Sequence, residues 1–284
     1  MRDAMKDEGG WPRRRLDADY TARDCVSADD FARIITDYAT LSLPARDLPG
    51  RRPGIAYDPV SDERMDVFGA GQGGAAFLFI HGGYWRALSR GHSAFMAPML
   101  AARGIATAVP DYTLAPAAGL TEITRQMRTA FAHLWHNAGD LGIDRRRIVV
   151  GGSSAGGHLA AALAMPGWQA EFGLPHDAVH AAMPVSGLFE LAPIAASHVQ
   201  DWMSLTPEEV QRLSPARHIP GTAPSLVALA EGETAGFTRQ SAAYAAALDA
   251  ECLTIPGRNH FDVILDLADA ESGLSRRLLG LLER

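Results

Sequence analysis

The sequence predicts an α/β protein with a mostly parallel central sheet flanked by helices. From residue 75 onward, short continuous apolar runs alternate with amphipathic segments of helical length. This alternation is the pattern of βαβ units. Hydrophobic residues make up 47% of the 284 residues, which supports a sizeable core. The chain contains no fixed-period repeat, so we expect a single domain over residues 1–284.

The first part of the chain has a different pattern. Residues 1–15 are polar and interrupted by glycine and proline, which predicts a flexible arm. Residues 27–42 have apolar side chains at helical spacing, with Ser27 as a suitable N-cap. Two short runs, 55–58 and 64–68, then predict an antiparallel pair of strands ahead of the parallel part.

The remaining elements follow in alternation. Strands are predicted at 75–80, 105–112, 147–152, 178–187, 223–232 and 252–257. Helices are predicted at 92–103, 120–139, 155–165, 238–250, 261–269 and 273–284. The segment 187–220 is longer than a crossover needs, so we interpret it as a small cap over one end of the sheet.

Composition excludes several classes of function. The formal net charge is -7, from 33 acidic and 26 basic residues, which argues against a nucleic-acid surface. Two cysteines without a CxxC pair favour a reducing compartment. No apolar run has the length of a membrane span, and we expect a cytoplasmic protein. No metal-binding motif such as HExxH occurs, so neither a metal nor another cofactor is expected.

A glycine-rich turn follows the strand predicted at 147–152. The pattern Gly-x-Ser-x-Gly fits there in one register, Gly152 to Gly156, which makes Ser154 the candidate nucleophile and Ser153 the intervening residue. Strand, tight turn and helix are the context that a nucleophile elbow requires, because only small neighbours fit around the strained serine. The residues that define a dinucleotide-binding turn or a P-loop are missing at these positions.

A second glycine pair follows the first buried strand. The sequence HGGYW begins at His81, at the place where a hydrolase with such an elbow supplies half of its oxyanion hole. We predict that backbone N–H groups among Gly82, Gly83 and Tyr84, with that of Ala155, bind the oxyanion. His81 itself is expected to brace the loop.

A nucleophilic serine needs a base, and the base needs a carboxylate that orients it. In hydrolases with such an elbow, the acid follows a late strand of the sheet and the histidine follows the last strand. Of the ten histidines, His260 follows Ser154, lies near the C-terminus and comes directly after the last predicted strand. For the acid we favour Glu233, beyond the strand and its glycine, and Glu231 stays open as an alternative.

Aromatic residues near these motifs suggest a substrate pocket. Tyr84 and Trp85 adjoin the predicted oxyanion turn, and Trp202 lies in the predicted cap. We therefore expect these three side chains to contact substrate, although packing within the cap would explain Trp202 equally well.

Several longer motifs occur together between about Leu16 and Asp262. In order they read LDADYTARDCV, HGGYWRALSRGHSAFMA, DYTLAP, RIVVGGSSAGGHLAA, RLSPARH and EGETAGFTRQS. Together they resemble the kynurenine formamidase (arylformamidase) family of α/β-hydrolases. In that family the acid precedes an F-x-R-Q-S segment. This segment matches residues 237–241 here, and the acid then corresponds to Glu233. The better-known members have aspartate at that position and often histidine at the position of Ser153.

The resemblance implies an activity as well as a fold. It implies cleavage of a formyl group from an aromatic amine such as N-formylkynurenine, through an acyl-enzyme. A carboxylesterase acting on short acyl esters would use the same groups, and it stays open. A ligand-binding protein on an inactive hydrolase scaffold is disfavoured, since serine, acid, histidine and oxyanion turn are all present. We expect a small-molecule substrate, no nucleic-acid or membrane partner, and allow for a homodimer.

Overall fold

The computed structural model describes residues 7–71 and 73–283 and contains one eight-stranded sheet. The strands are β1 (Arg52–Ala56), β2 (Arg64–Phe68), β3 (Gly74–Ile80), β4 (Ala106–Pro110), β5 (Ile143–Ser153), β6 (Ala181–Val185), β7 (Val227–Gly232) and β8 (Cys252–Asn259). Their spatial order is β1-β2-β4-β3-β5-β6-β7-β8.

The sheet is mostly parallel. β1 pairs with β2 and β2 with β4 in antiparallel orientation, whereas all the pairs from β4 to β8 are parallel. Every residue of β4 and β6 is buried, because helices cover both faces of the sheet. The predicted fold class and the antiparallel opening pair are confirmed.

Helices surround this sheet. In the described residues they are α1 (Arg13–Tyr20), α2 (Ala28–Ser42), α3 (Ala97–Ala101), α4 (Leu120–His136), α5 (Ala138–Leu141), α6 (Ala155–Ala164), α7 (Ala192–Ala195), α8 (Gln200–Met203), α9 (Pro207–Leu213), α10 (Ala235–Leu248) and α11 (Gly273–Leu282). The Ser27 side chain caps α2 by accepting a hydrogen bond from the N–H of Asp30, as the sequence predicts.

Two of the predicted helices differ in the structure. The helix expected over 92–103 is reduced to the five residues of α3, because Pro98 lacks an N–H and is accommodated only in the first turn of a helix. The helix expected over 261–269 is a 3₁₀ helix, Asp262–Ala268.

The prediction of a flexible arm over 1–15 is wrong for the part that the structure describes. Residues 1–6 lie outside the described residues, but Glu8–Gly10 forms a 3₁₀ turn and α1 begins at Arg13. Glu8 is only 4% exposed and pairs with Arg239 of α10, 2.7 Å from oxygen to nitrogen. The sequence pattern missed this order because it comes from a partner more than two hundred residues away.

The segment 187–220 contains α7, α8 and α9 and no strand. Two hydrogen bonds connect it to the elements around Ser154. Trp202 Nε1 donates to the carbonyl of Tyr84 (3.2 Å), and the carbonyl of Leu213 pairs with His158 Nε2 (2.9 Å). The division of the chain into one domain with a cap stays a prediction. None of the helices in the described ranges is long and apolar enough to cross a membrane, and the cytoplasmic location also stays a prediction.

His158, on the first turns of α6, is fully buried beneath Trp85, whose ring it meets edge-on at 5.3 Å. Burial lowers the pKa of His158 from 6.5 to about 4. The unfolded chain therefore binds more protons than the folded protein between these two values. Stability is lost as the pH falls through 6.5 toward 4.

We predict that His158→Gln weakens this acid sensitivity, because glutamine can still donate to Leu213 without binding a proton. Between pH 8 and pH 5 the wild-type protein should lose roughly 2 kcal/mol more free energy of unfolding than the variant. Urea titration at both pH values measures the difference. The exposed His176→Gln is the matched control and should follow the wild type. Equal losses for wild type and His158→Gln would contradict the assignment.

Candidate active site

Ser154 lies at the turn between β5 and α6, as the motif predicts. Its φ is 58° and its ψ is -119°, a strained conformation for a residue with a side chain. The Ser154 N–H donates to the carbonyl of Val185 at the end of β6 (2.9 Å), which holds the turn against the neighbouring strand. The side chain is thus fixed at the carboxyl edge of the sheet, where α/β proteins place their binding sites.

The glycines around Ser154 are required by close backbone contacts. A Cβ at Gly152 would lie 2.4 Å from the Gly156 carbonyl oxygen, and a Cβ at Gly156 would lie 2.0 Å from the Ile80 carbonyl oxygen. A Cβ at Gly82 would approach the Ser153 carbonyl oxygen to 2.8 Å. The nucleophile elbow and the turn at residues 81–84, called the HGG turn below, therefore pack backbone against backbone.

His260 and Glu233 meet directly. His260 Nδ1 lies 2.7 Å from Glu233 Oε2, the carboxylate side chain is fully buried, and the imidazole is 2% exposed. An ionised carboxylate only accepts hydrogen bonds, so Nδ1 carries the proton. The lone pair of the imidazole is then on Nε2, the nitrogen that a neighbouring hydroxyl could use.

Glu233 has further donors that hold it in place. Ser186 Oγ donates a short hydrogen bond to Glu233 Oε1, and the N–H of Ala230 lies 3.4 Å from the same oxygen. Glu231, the alternative acid, is exposed and accepts from the N–H of Gly257 in β8 (2.9 Å). The structure thus brings Glu233, and not Glu231, to His260.

The HGG turn has unpaired donors on its backbone. Among the described residues, the N–H groups of Gly82, Gly83 and Tyr84 donate to no protein acceptor. Ala155 is the first residue of α6, so its N–H has no acceptor in a preceding turn. These four positions are the ones that the sequence predicts for the oxyanion hole.

His81 and Tyr112 support that turn from behind. Their rings stack with centroids 4.2 Å apart, and Tyr112 Oη donates to the carbonyls of His81 and Gly82, each at 3.1 Å. Burial lowers the pKa of His81 to about 4, so its imidazole is neutral near pH 7. His81 therefore braces the loop, in line with the sequence interpretation.

A cavity of about 470 Å³ opens over Ser154, His260 and the HGG turn. Tyr84 and Trp202 line it as predicted. Trp85 does not, and the prediction that it contacts substrate is wrong. Its side chain is fully buried. Trp85 has a left-handed backbone conformation, with a φ of 58°. Its indole packs against the ring of His158 in the core.

Sequence reasoning missed three residues that position the site. Ser186 binds the acid, and Tyr112 binds the HGG turn, as described above. Tyr20 accepts a hydrogen bond from Tyr84 Oη on its carbonyl oxygen (2.5 Å). All three lie in or beside motifs that carried the family resemblance or ended a predicted strand. Position alone did not indicate what their side chains or backbones touch.

The arrangement defines a class of protein. A strained serine, a buried His–Glu pair and unpaired N–H groups converge at the carboxyl edge of a mostly parallel sheet, which is the architecture of an α/β-hydrolase. The BD-FAE family model matches residues 69–243, more than half of the chain. The chain belongs to the BD-FAE family of α/β-hydrolases.

Comparisons with whole proteins agree with this class. The chain is 28% identical to a kynurenine formamidase of Salmo salar and 26% identical to one of Danio rerio, over 90% of this chain and 91% of each relative. The resemblance expected from the motifs is thus confirmed, and the chain is a hydrolase.

No group of three or more His, Cys, Asp or Glu side chains in residues 7–71 and 73–283 could hold a metal ion.

Solved structures show the same fold. A structure from Silicibacter sp. tm1040, described as a candidate thioesterase, superposes with a TM-score of 0.79 at 26% identity, covering 95% of this chain and 99% of the other. An esterase of Pyrobaculum calidifontis gives a TM-score of 0.70 at 19% identity, covering 91% and 93% of the two chains. The second likeness shows the fold alone.

We predict that Gly156→Ala destabilises the protein by about 2 kcal/mol or more, since its Cβ would overlap the Ile80 carbonyl and the strand cannot withdraw without disturbing the sheet. The control is Gly280→Ala in α11, where a Cβ meets nothing within 4 Å and alanine favours the helix. Chemical unfolding of both variants gives the comparison. A Gly156→Ala protein as stable as wild type would show that the elbow is not packed as described.

Proposed function

We propose that this protein hydrolyses N-formyl aromatic amides of the N-formylkynurenine type through an acyl-enzyme on Ser154. The observation that carries the proposal is the buried His260–Glu233 pair beside the strained Ser154 at one cavity. The similarity to kynurenine formamidases over 90% of the chain supports the substrate class.

The groups have consecutive roles in this mechanism. Ser154 Oγ attacks the formyl carbon while its proton passes to His260 Nε2, and Glu233 stabilises the imidazolium through Nδ1. Negative charge on the former carbonyl oxygen is bound by N–H groups of the HGG turn and of Ala155. His260 then gives the proton to the leaving nitrogen and the aromatic amine departs.

The second half of the reaction repeats the proton transfers with water. His260 Nε2 takes a proton from water as the hydroxide adds to the formyl carbon. The tetrahedral intermediate then collapses, His260 returns the proton to Ser154 Oγ, and formic acid leaves and ionises to formate. A formyl group needs little room, so the cavity would serve mainly the aromatic amine. Tyr84 and Trp202 offer ring surfaces for it.

Carboxylesterase activity on short acyl esters is the second candidate. The cavity lining also includes the apolar side chains Phe79, Phe95 and Ile264, which could contact an acyl group larger than formyl. An ester also places a lower demand on the acid that protonates the leaving group, because an alkoxide leaves more readily than an amine anion.

The two candidates differ in a direct assay. Purified protein is given N-formylkynurenine and 4-nitrophenyl acetate or butyrate side by side, and kcat/KM is measured for each. The proposal predicts that kcat/KM for the formamide equals or exceeds that for the esters, although the amide is intrinsically harder to cleave. Ester turnover with no measurable formamide turnover would leave the carboxylesterase as the function.

We predict that Ser154→Ala lowers kcat by about 10⁴-fold or more while Ser153→Ala lowers it less than tenfold, because only residue 154 lies in the strained turn. The two serines are adjacent and both buried, which makes each the matched control for the other. Circular dichroism and unfolding curves verify the fold of each variant. Greater loss in Ser153→Ala than in Ser154→Ala would place the nucleophile in another register.

We predict that Glu233→Gln lowers kcat by about 10⁴-fold, because an amide can donate to Nδ1 and so favours the wrong tautomer of His260. Glu231→Gln removes the same charge two residues away and should change kcat less than tenfold, since the Glu231 carboxylate accepts its hydrogen bond from Gly257 of β8 and not from His260. Glu233→Asp should keep measurable activity. Steady-state kinetics of the three variants test this, and the reverse order of the two amide variants would assign the acid to Glu231.

A further inference from the structure

The lining of the cavity over Ser154 includes two arginine side chains. Arg23 and Arg86 line it, whereas no aspartate or glutamate within residues 7–71 and 73–283 does. The chain as a whole has more acidic than basic residues, 33 against 26. A cavity with the opposite sign of charge to the whole protein indicates a preference for anionic ligands.

Neither guanidinium group has a carboxylate partner in the part of the chain that the structure describes. Some other arginines of the chain are paired with acids, such as Arg239 with Glu8 and Arg125 with Asp58. Among the described residues, neither Arg23 nor Arg86 makes a side-chain hydrogen bond or an ion pair. Their donors are therefore available to a ligand.

Each guanidinium lies on an aromatic ring that also lines the cavity. The Arg86 guanidinium carbon is 3.7 Å from the centroid of the Trp202 ring, and that of Arg23 is 3.9 Å from the centroid of Phe31. Trp202 is fixed in turn by its hydrogen bond to the Tyr84 carbonyl. Stacking on a fixed ring reduces the side-chain entropy that binding would otherwise remove, and it leaves the edge of the guanidinium free for an anion.

The rings connect these arginines to the reacting groups. Phe31 meets Phe261 edge-on at 4.9 Å, and Phe261 meets His260 at 5.1 Å. Arg86 is two residues after Tyr84 of the HGG turn. Aromatic rings thus lie between Arg23 and His260, and Arg86 lies close in sequence to the HGG turn.

We propose that Arg23 and Arg86 form an anion subsite that binds a carboxylate of the substrate, at the opposite end of an apolar body from the scissile bond. The substrate class is then an aryl or alkyl amide or ester that carries a free carboxylate. As a statement about catalysis this rests on the proposed function, but the carboxylate preference can be measured by binding alone. Arginine suits the task because its planar fork matches the two carboxylate oxygens.

Equilibrium binding to the intact protein tests the subsite without hydrolysis. The probes are 4-phenylbutyrate and the neutral 4-phenylbutan-1-ol, and the readouts are tryptophan fluorescence and calorimetry at low salt. We expect the carboxylate to bind at least tenfold more tightly than the alcohol, with a preference that weakens as salt is added. Equal affinities of the wild-type protein for the two probes would overturn the proposal.

Variants assign the preference to the two arginines. Arg23→Gln and Arg86→Gln should each reduce it, and the double variant should abolish it. Arg52→Gln removes an exposed charge on β1 that does not line the cavity and should keep the preference of the wild type. A double variant that keeps the full preference would place the anion subsite elsewhere and contradict the proposal.

A hydrolytic comparison separates the subsite from the proposed function. The ratio of kcat/KM for 3-formamidobenzoate to that for 3-formamidobenzamide should fall at least tenfold in the double variant. If neither formamide is cleaved while the preference in binding holds, the proposed function fails and the subsite stands. If both are cleaved with a ratio that the double variant does not change, the subsite is wrong and the hydrolase function stands.

Discussion

The site depends on the close packing of two glycine-rich turns at the ends of β3 and β5. These strands are neighbours in register, with Ile80 opposite Gly152. At their ends Gly156 approaches the Ile80 carbonyl so closely that a Cβ would lie 2.0 Å from it. Because no side chain fits between them, the serine turn and the HGG turn pack directly against each other. This contact explains why two motifs seventy residues apart in sequence belong to the same site.

Parallel pairing brings the remaining groups to the same edge. Ser186 follows β6, Glu233 follows β7 and His260 follows β8, so each lies just beyond the carboxyl end of its strand. A buried carboxylate is costly unless it is hydrogen-bonded. Glu233 meets this requirement through His260 and Ser186, and the pairing fixes the histidine tautomer at the same time. The interaction that satisfies the buried charge is therefore also the one that orients the His260 imidazole.

The sequence predicted the parts of this site that depend on backbone geometry. Gly152, Ser154 and Gly156 are local requirements of one tight turn, and His260 is defined by the end of a strand, so pattern and spacing were sufficient. Trp85 was misplaced because a side chain in a turn with positive φ can point to the core or to the cavity, and residue type does not decide between them. The defined, buried conformation of Glu8 could not be predicted, since it depends on an ion pair with Arg239, which is distant in sequence.

The central claim is that Ser154 is the nucleophile, activated by His260 and Glu233. Labelling with diisopropyl fluorophosphate followed by tandem mass spectrometry tests it most directly, because the reagent forms a stable adduct only with an activated serine. The account predicts one phosphoryl group per chain, located on Ser154, with loss of activity in proportion to labelling and much slower labelling of Glu233→Gln. An adduct on Ser153 or another serine, or full activity in protein that is fully labelled, would contradict it.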